Sequence, residues 1–176
     1  RMYLDHLAGG NMNEPCSLVI FGSTGNLARN KLLPALYHLE AAGQLAASTR
    51  VVGFGRREWS DADWRAEVSG TLENRVRGGL DQAVLERLGA RLCFVRGDLS
   101  DSDAYPGLRE RLRDDPAMPA NLVFYLAIAP GHYGEVADNL AAQGLNEQGS
   151  GWSRLVVEKP FGFDLESARI LDQHLH

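Results

Sequence analysis

At 176 residues, 44% hydrophobic and 23% charged, the chain has the size and balance of one globular domain with its own core. A formal net charge of −5 argues against a nucleic-acid surface, and no apolar run is long enough to cross a bilayer. With no secretory leader and no metal-ligand spacing of His and Cys, a cytoplasmic protein without a metal is expected, with Cys16 and Cys93 free and buried.

Residues 1–13 read as a flexible extension or cloning scar, and residues 14–176 as the domain. The first expected strand, Ser17–Phe21, is apolar and ends at Gly22-Ser23-Thr24-Gly25. An amphipathic helix over 26–42 follows, with Leu32, Leu33, Leu36 and Leu39 on one stripe. Strand two is Arg50–Gly55. The next helix, 60–77, opens on Ser60 with Asp63 three residues on, a capping-box start. A short helix over 80–88 precedes strand three, Arg91–Arg96. Ser102–Arg113 is helical, with Pro106 and Gly107 pushing its start later. Strand four is Asn121–Ile128, followed by a helix over 131–143 and a polar loop, Asn146–Gly151. Strand five, Arg154–Glu158, leads to a helix over 164–175 with Asp164 as N-cap. Alternation of this kind predicts an α/β fold of the Rossmann type, a doubly wound parallel sheet that binds ligands at the carboxyl ends of its strands.

The strand ends therefore carry the functional signal. Gly22 allows a sharp reversal, Gly25 allows close backbone approach, and Ala28 is small enough for tight helix–strand packing. Such a turn either cradles phosphate on a helix N-terminus or is simply a tight turn. Strand two ends in Arg56-Arg57, where an NAD site would place a carboxylate for the ribose 2′-hydroxyl. A guanidinium there pairs with a 2′-phosphate, which points to NADP; solvated surface arginines are the alternative. Asp98 either accepts from an adenine amine or caps the following helix. Tyr133 contacts the nicotinamide half of a cofactor or packs in the core. Lys159 stands out because 16 of 18 basic residues are Arg and only Lys31 and Lys159 are Lys. Followed by Pro160, which sets a candidate cis bond, it lies at the cleft mouth or on the surface before a turn.

Four segments resemble glucose-6-phosphate dehydrogenases: residues 22–36 (GSTGNLARNKLLPAL), 52–56 (VGFGR), 124–130 (FYLAIAP) and 151–162 (GWSRLVVEKPFG), in the family's order. The resemblance implies that Gly22, Ser23, Thr24, Gly25, Asn26, Leu27, Ala28 and Arg29 cradle the NADP pyrophosphate, and that Arg56 binds the 2′-phosphate. It places Asp98 and Leu99 against the adenine, Tyr133 near the nicotinamide ribose, and Lys159 against both cofactor and sugar phosphate. The implied reaction oxidises glucose 6-phosphate at C1, passing a hydride to NADP and yielding a lactone, the first step of the oxidative pentose phosphate pathway. Asn26 stands where the family usually has Asp. The family's next motif, Arg-Ile-Asp-His-Tyr-Leu-Gly-Lys-Glu, and the general-base histidine beyond it are not in this sequence, which ends at His176. The chain is thus expected to be the nucleotide-binding domain ahead of an α+β substrate domain, to bind NADP without turning over sugar phosphate, and to form homo-oligomers only as part of the intact enzyme. A short-chain dehydrogenase would need Tyr-x-x-x-Lys, which no tyrosine here provides; an NADP-sensing module is the remaining alternative.

Overall fold

A strand buried on both faces is apolar at odd and even positions alike, and that is how the expected strands read. The computed structural model describes residues 14–146 and 151–157. Among these, β1 (Ser17–Phe21), β2 (Arg50–Gly55), β3 (Leu92–Arg96), β4 (Leu122–Leu126) and β5 (Ser153–Val157) form one parallel sheet in the order β3-β2-β1-β4-β5. Val19 sits between Val52 and Phe124 in register, and β1 is buried along its whole length. The reversal of strand order between β1 and β4 is the switch point at which such sheets bind ligands.

The two parities of the strands feed two cores. Leu18, Ile20, Val51 and Tyr125 face α1 (Leu33–Ala41), α2 (Asp61–Arg75) and α3 (Gln82–Arg91). Val19, Phe21, Val52 and Phe124 face α4 (Tyr105–Arg113) and α5 (Tyr133–Ala142). The helix into α1 begins at Asn26 and passes through a π-helical turn, Ala28–Leu32, before its regular part. The α2 capping box is present: Ser60 Oγ accepts from the Asp63 N–H at 3.1 Å, and Asp63 accepts from the Ser60 N–H at 2.9 Å.

Several boundaries differ from expectation. Arg91 closes α3 instead of opening β3. Its Nε donates to Glu40 Oε2 at 2.7 Å and its Nη1 to the Ala46 and Thr49 carbonyls at 2.6 and 2.9 Å. The buried guanidinium thus sews α3 to the segment entering β2. Helix α4 starts at Tyr105, ahead of Pro106, because a proline in the first turn lacks an N–H that would have had no acceptor there. Strand β4 is shorter than expected, and β5 begins one residue earlier, with Glu158 outside the described residues. The 1–13 extension, Lys159–Pro160, the 164–175 helix and most of the 146–151 loop lie outside the described residues.

Both cysteines are free and buried. Burial pushes the Cys16 thiol up to about 11, against smaller opposing pulls from its Thr49 hydrogen bond and the Arg91 charge. Burial also raises Cys93. A folded-state pKa above the unfolded value means that this contribution to stability is whole below about pH 9 and is lost as pH rises towards about 11. Urea unfolding at successive pH values across that interval should show stability falling with pH, and falling less steeply in Cys16→Ala.

Candidate functional site

The tip of β1 is set by one glycine. Gly22 has φ +79°, and a Cβ there would lie 2.2 Å from the Ala127 carbonyl oxygen at the end of β4. Gly22 O accepts from the Gly25 N–H at 2.9 Å, closing the turn, and Gly25 O accepts from the Arg29 N–H at 3.1 Å, opening the helix. The N–H groups of that first helical turn have no intrahelical acceptors, which is the donor set an oxyanion uses. Gly25 is less constrained: its φ is ordinary and a Cβ would meet Gly22 O at 3.3 Å.

A cleft of about 400 Å³ runs over this turn, lined by Gly22, Ser23, Thr24 and Gly25, by Phe54 and Gly55 of β2 and Arg56 just beyond it, by Gly97, Asp98, Leu99 and Ser100 beyond β3, and by His132 beyond β4. Such a volume suits a small-molecule ligand. Three bonds hold the lining in place. Gly55 O accepts from the Gly97 N–H at 2.8 Å, Ser23 Oγ donates to Phe54 O at 3.4 Å, and the Tyr105 hydroxyl donates to Leu99 O at 2.7 Å. A Cβ on Gly97 would come within 2.4 Å of the Phe54 ring, so the β3 tip can lie this close only as glycine.

Of the residues expected at the site, Gly22, Ser23, Thr24, Gly25, Arg56, Asp98 and Leu99 come together in the cleft. The two arginines after β2 separate. Arg57 lies over the Trp59 ring at 5.6 Å, while Arg56 is exposed and lines the cleft. Asp98 Oδ1 accepts from the Ser100 N–H at 2.9 Å, shaping its own loop. The N-cap of the short 3-10 turn Ser102–Ala104 is Asp101, so Asp98 is not the cap.

Other motif positions lie behind the lining. Ala28 is fully buried against the sheet, which is the packing role read for it. Asn26 and Leu27 lie on the helix turn beyond the lining residues. Arg29 points away, its Nε donating to Thr24 O at 2.8 Å and its side chain lying in a separate groove beside Glu67, Thr71 and Asn74 of α2. It braces the turn from outside. Tyr133 is buried among the α4–α5 core residues, and its neighbour His132 takes the place on the cleft wall. Lys159 lies outside the described residues.

The sequence reading missed Phe54, Gly55, Gly97, Ser100 and His132. All lie at a strand's carboxyl end or in the loop that follows it, so position alone was the available signal. Two of them are linked. Ser100 Oγ donates to Glu135 Oε2 at 3.1 Å, and His132 Nδ1 faces the same oxygen at 3.4 Å. Among the described residues no helix is long and apolar enough to cross a membrane.

Residues 19–176 match the family model described as "Glucose-6-phosphate dehydrogenase, NAD binding domain". The chain is 42% identical over 163 residues to glucose-6-phosphate 1-dehydrogenase 2 of Mycobacterium tuberculosis, covering 90% of this chain and 32% of that protein. It is 36% identical over 168 residues to glucose-6-phosphate 1-dehydrogenase of Bacillus subtilis, covering 94% and 33%. Among solved structures, glucose-6-phosphate 1-dehydrogenase from Mycobacterium avium aligns at TM-score 0.75 and 34% identity, over 92% of this chain and 33% of that one. A glucose-6-phosphate dehydrogenase in complex with its substrate glucose-6-phosphate aligns at TM-score 0.72 and 30% identity. The chain thus spans about a third of the length of these relatives. Because the family match runs from Val19 in β1 through the glycine turn, Arg56 and the other four strands, the chain belongs to the glucose-6-phosphate dehydrogenase family, within its NAD binding domain.

Proposed function

We propose that the cleft binds NADP and that the domain serves the oxidation of D-glucose 6-phosphate to 6-phospho-D-glucono-1,5-lactone, in the cytoplasm, as part of a protein with the family's full length. The observation that carries the cofactor assignment is Arg56 on the cleft wall, with Arg57 drawn off onto Trp59. A bidentate guanidinium suits a 2′-phosphate and has no comparable partner in NAD. Backbone N–H groups from Gly22 to Ala28 would hold the diphosphate, with Arg29 bracing Thr24 from behind. Asp98 and Leu99 would flank the adenine, held by the Ser100 and Tyr105 bonds. Tyr133 would support the nicotinamide-ribose side from the core, and Lys159 would reach both cofactor and sugar phosphate.

Bound NADP would supply the hydride acceptor. The protein's part, in these residues, is to bind and orient it. Removal of the sugar hydroxyl proton needs a positioned base. No histidine in this sequence follows the family motif that precedes that base, so the 176-residue polypeptide should bind without turnover. Paired NADP and NAD titrations followed by tryptophan fluorescence should show NADP bound at least about tenfold more tightly. Absorbance of reduced nicotinamide should stay flat with glucose 6-phosphate present. NAD binding as tight as NADP would sink the cofactor assignment, and clear turnover would show that these residues contain a base.

A further inference from the structure

His132 has no part in the assignments above, yet it lines the cleft with the glycine turn and Arg56. It sits at the N-cap of α5, half exposed, and makes no side-chain cap bond. Its Nδ1 lies 3.4 Å from Glu135 Oε2, an oxygen already accepting from Ser100 Oγ at 3.1 Å. Glu135 thereby ties the loop after β3 to the loop after β4 across one end of the cleft.

The chemistry of that contact has a direction. An ionised carboxylate only accepts, so it selects the ring form with a proton on Nδ1. In the neutral ring Nε2 is then a lone-pair acceptor, and in the cation it is a donor. A diphosphate also presents only acceptors. An anionic ligand in this cleft would meet the neutral ring lone pair to lone pair, but would accept a charge-assisted bond from the cation. The other charges around His132 compete. Glu135 on its own helix and Asp98 beyond β3 favour the cation; Arg56 beyond β2 and the α5 N-terminus oppose it. The turn from Gly22 to Gly25 carries no ionisable side chain. A bound diphosphate adds negative charge and tips this balance.

We propose that His132 is a coenzyme-contacting residue that binds the ligand's diphosphate as its imidazolium, with Glu135 as a positioning residue, so that loading the cleft takes up a proton. The proposal rests on the cleft being a dinucleotide site. NAD is the discriminating probe, because its diphosphate keeps its charge over the relevant range, whereas the 2′-phosphate of NADP titrates near pH 6 itself.

The test is NAD affinity at about pH 6 and about pH 8.5 in the wild type, His132→Gln and Glu135→Gln, with an NADP titration alongside. The wild type should bind NAD about fivefold more weakly at the higher pH, a ratio in keeping with an exposed charge pair. His132→Gln should bind NAD equally at both values, and Glu135→Gln should show a reduced dependence. A wild-type pH dependence that survives His132→Gln, or no dependence in the wild type, overturns the proposal while leaving the dinucleotide assignment intact. Failure to bind either coenzyme at both pH values overturns the two together.

Discussion

Gly22→Ala is expected to destabilise the protein by on the order of 3 kcal/mol or more and to abolish coenzyme binding. Two effects add. A φ of +79° costs an L-residue roughly 1–2 kcal/mol, and the added methyl would sit 2.2 Å from a backbone oxygen. That oxygen belongs to Ala127, whose N–H donates to Phe21 O at 3.0 Å, so it cannot retreat without moving β4 off β1. Against a total stability of about 5–15 kcal/mol the loss is large. Gly25→Ala provides the contrast. With ordinary φ and a Cβ contact of 3.3 Å, it should cost less than about 1 kcal/mol in stability. Its methyl would nevertheless stand where the backbone must approach a diphosphate, so NADP affinity should fall while the urea midpoint barely moves. Equal stability losses in the two variants would show that the turn is not organised as described.

Arg56→Ala is expected to weaken NADP binding by about 1.5–3 kcal/mol, or about 10- to 150-fold, and to leave NAD binding within about threefold of wild type. The side chain is exposed and makes no fold-supporting bond among those described, so thermal stability should not change. Arg56→Lys should recover part of the loss, because an ammonium keeps the charge but not the two-pronged geometry. Arg57→Ala should matter much less, since that guanidinium lies on Trp59. Coenzyme titrations of the three variants at fixed ionic strength decide the matter. A parallel loss of NADP and NAD on removing Arg56 would refute its assignment to the 2′-phosphate.

The bounds of β1 and β2 were legible because each is an apolar run stopped by a backbone requirement: Gly22 in one case, the Gly55-to-arginine change in the other. The start of β3 was not, because Arg91 reads as a polar strand edge until its carbonyl and Glu40 partners, distant in sequence, are seen. Within the site, the glycine turn and Arg56 follow from residue type at a strand end. The later motif positions are harder to place, for a helical reason. With 3.6 residues per turn, consecutive residues point in different directions, so Ala28 goes to the core and Arg29 to the far groove while the turn itself lines the cleft. The same rotation hides Tyr133 and presents His132. Nothing in a linear pattern brings Ser100 and Glu135 together; that contact is made where the loop after β3 meets the first turn of α5.

The contact between Gly22 and the Ala127 carbonyl also sets an order of assembly. The glycine turn has no back wall until the fourth strand has been synthesised and has docked beside the first. Docking a parallel strand from so far along the sequence is a late, entropically demanding event. A dinucleotide held as proposed would therefore meet a finished site only after those two strands have joined. It would protect molecules in that state by mass action from then on.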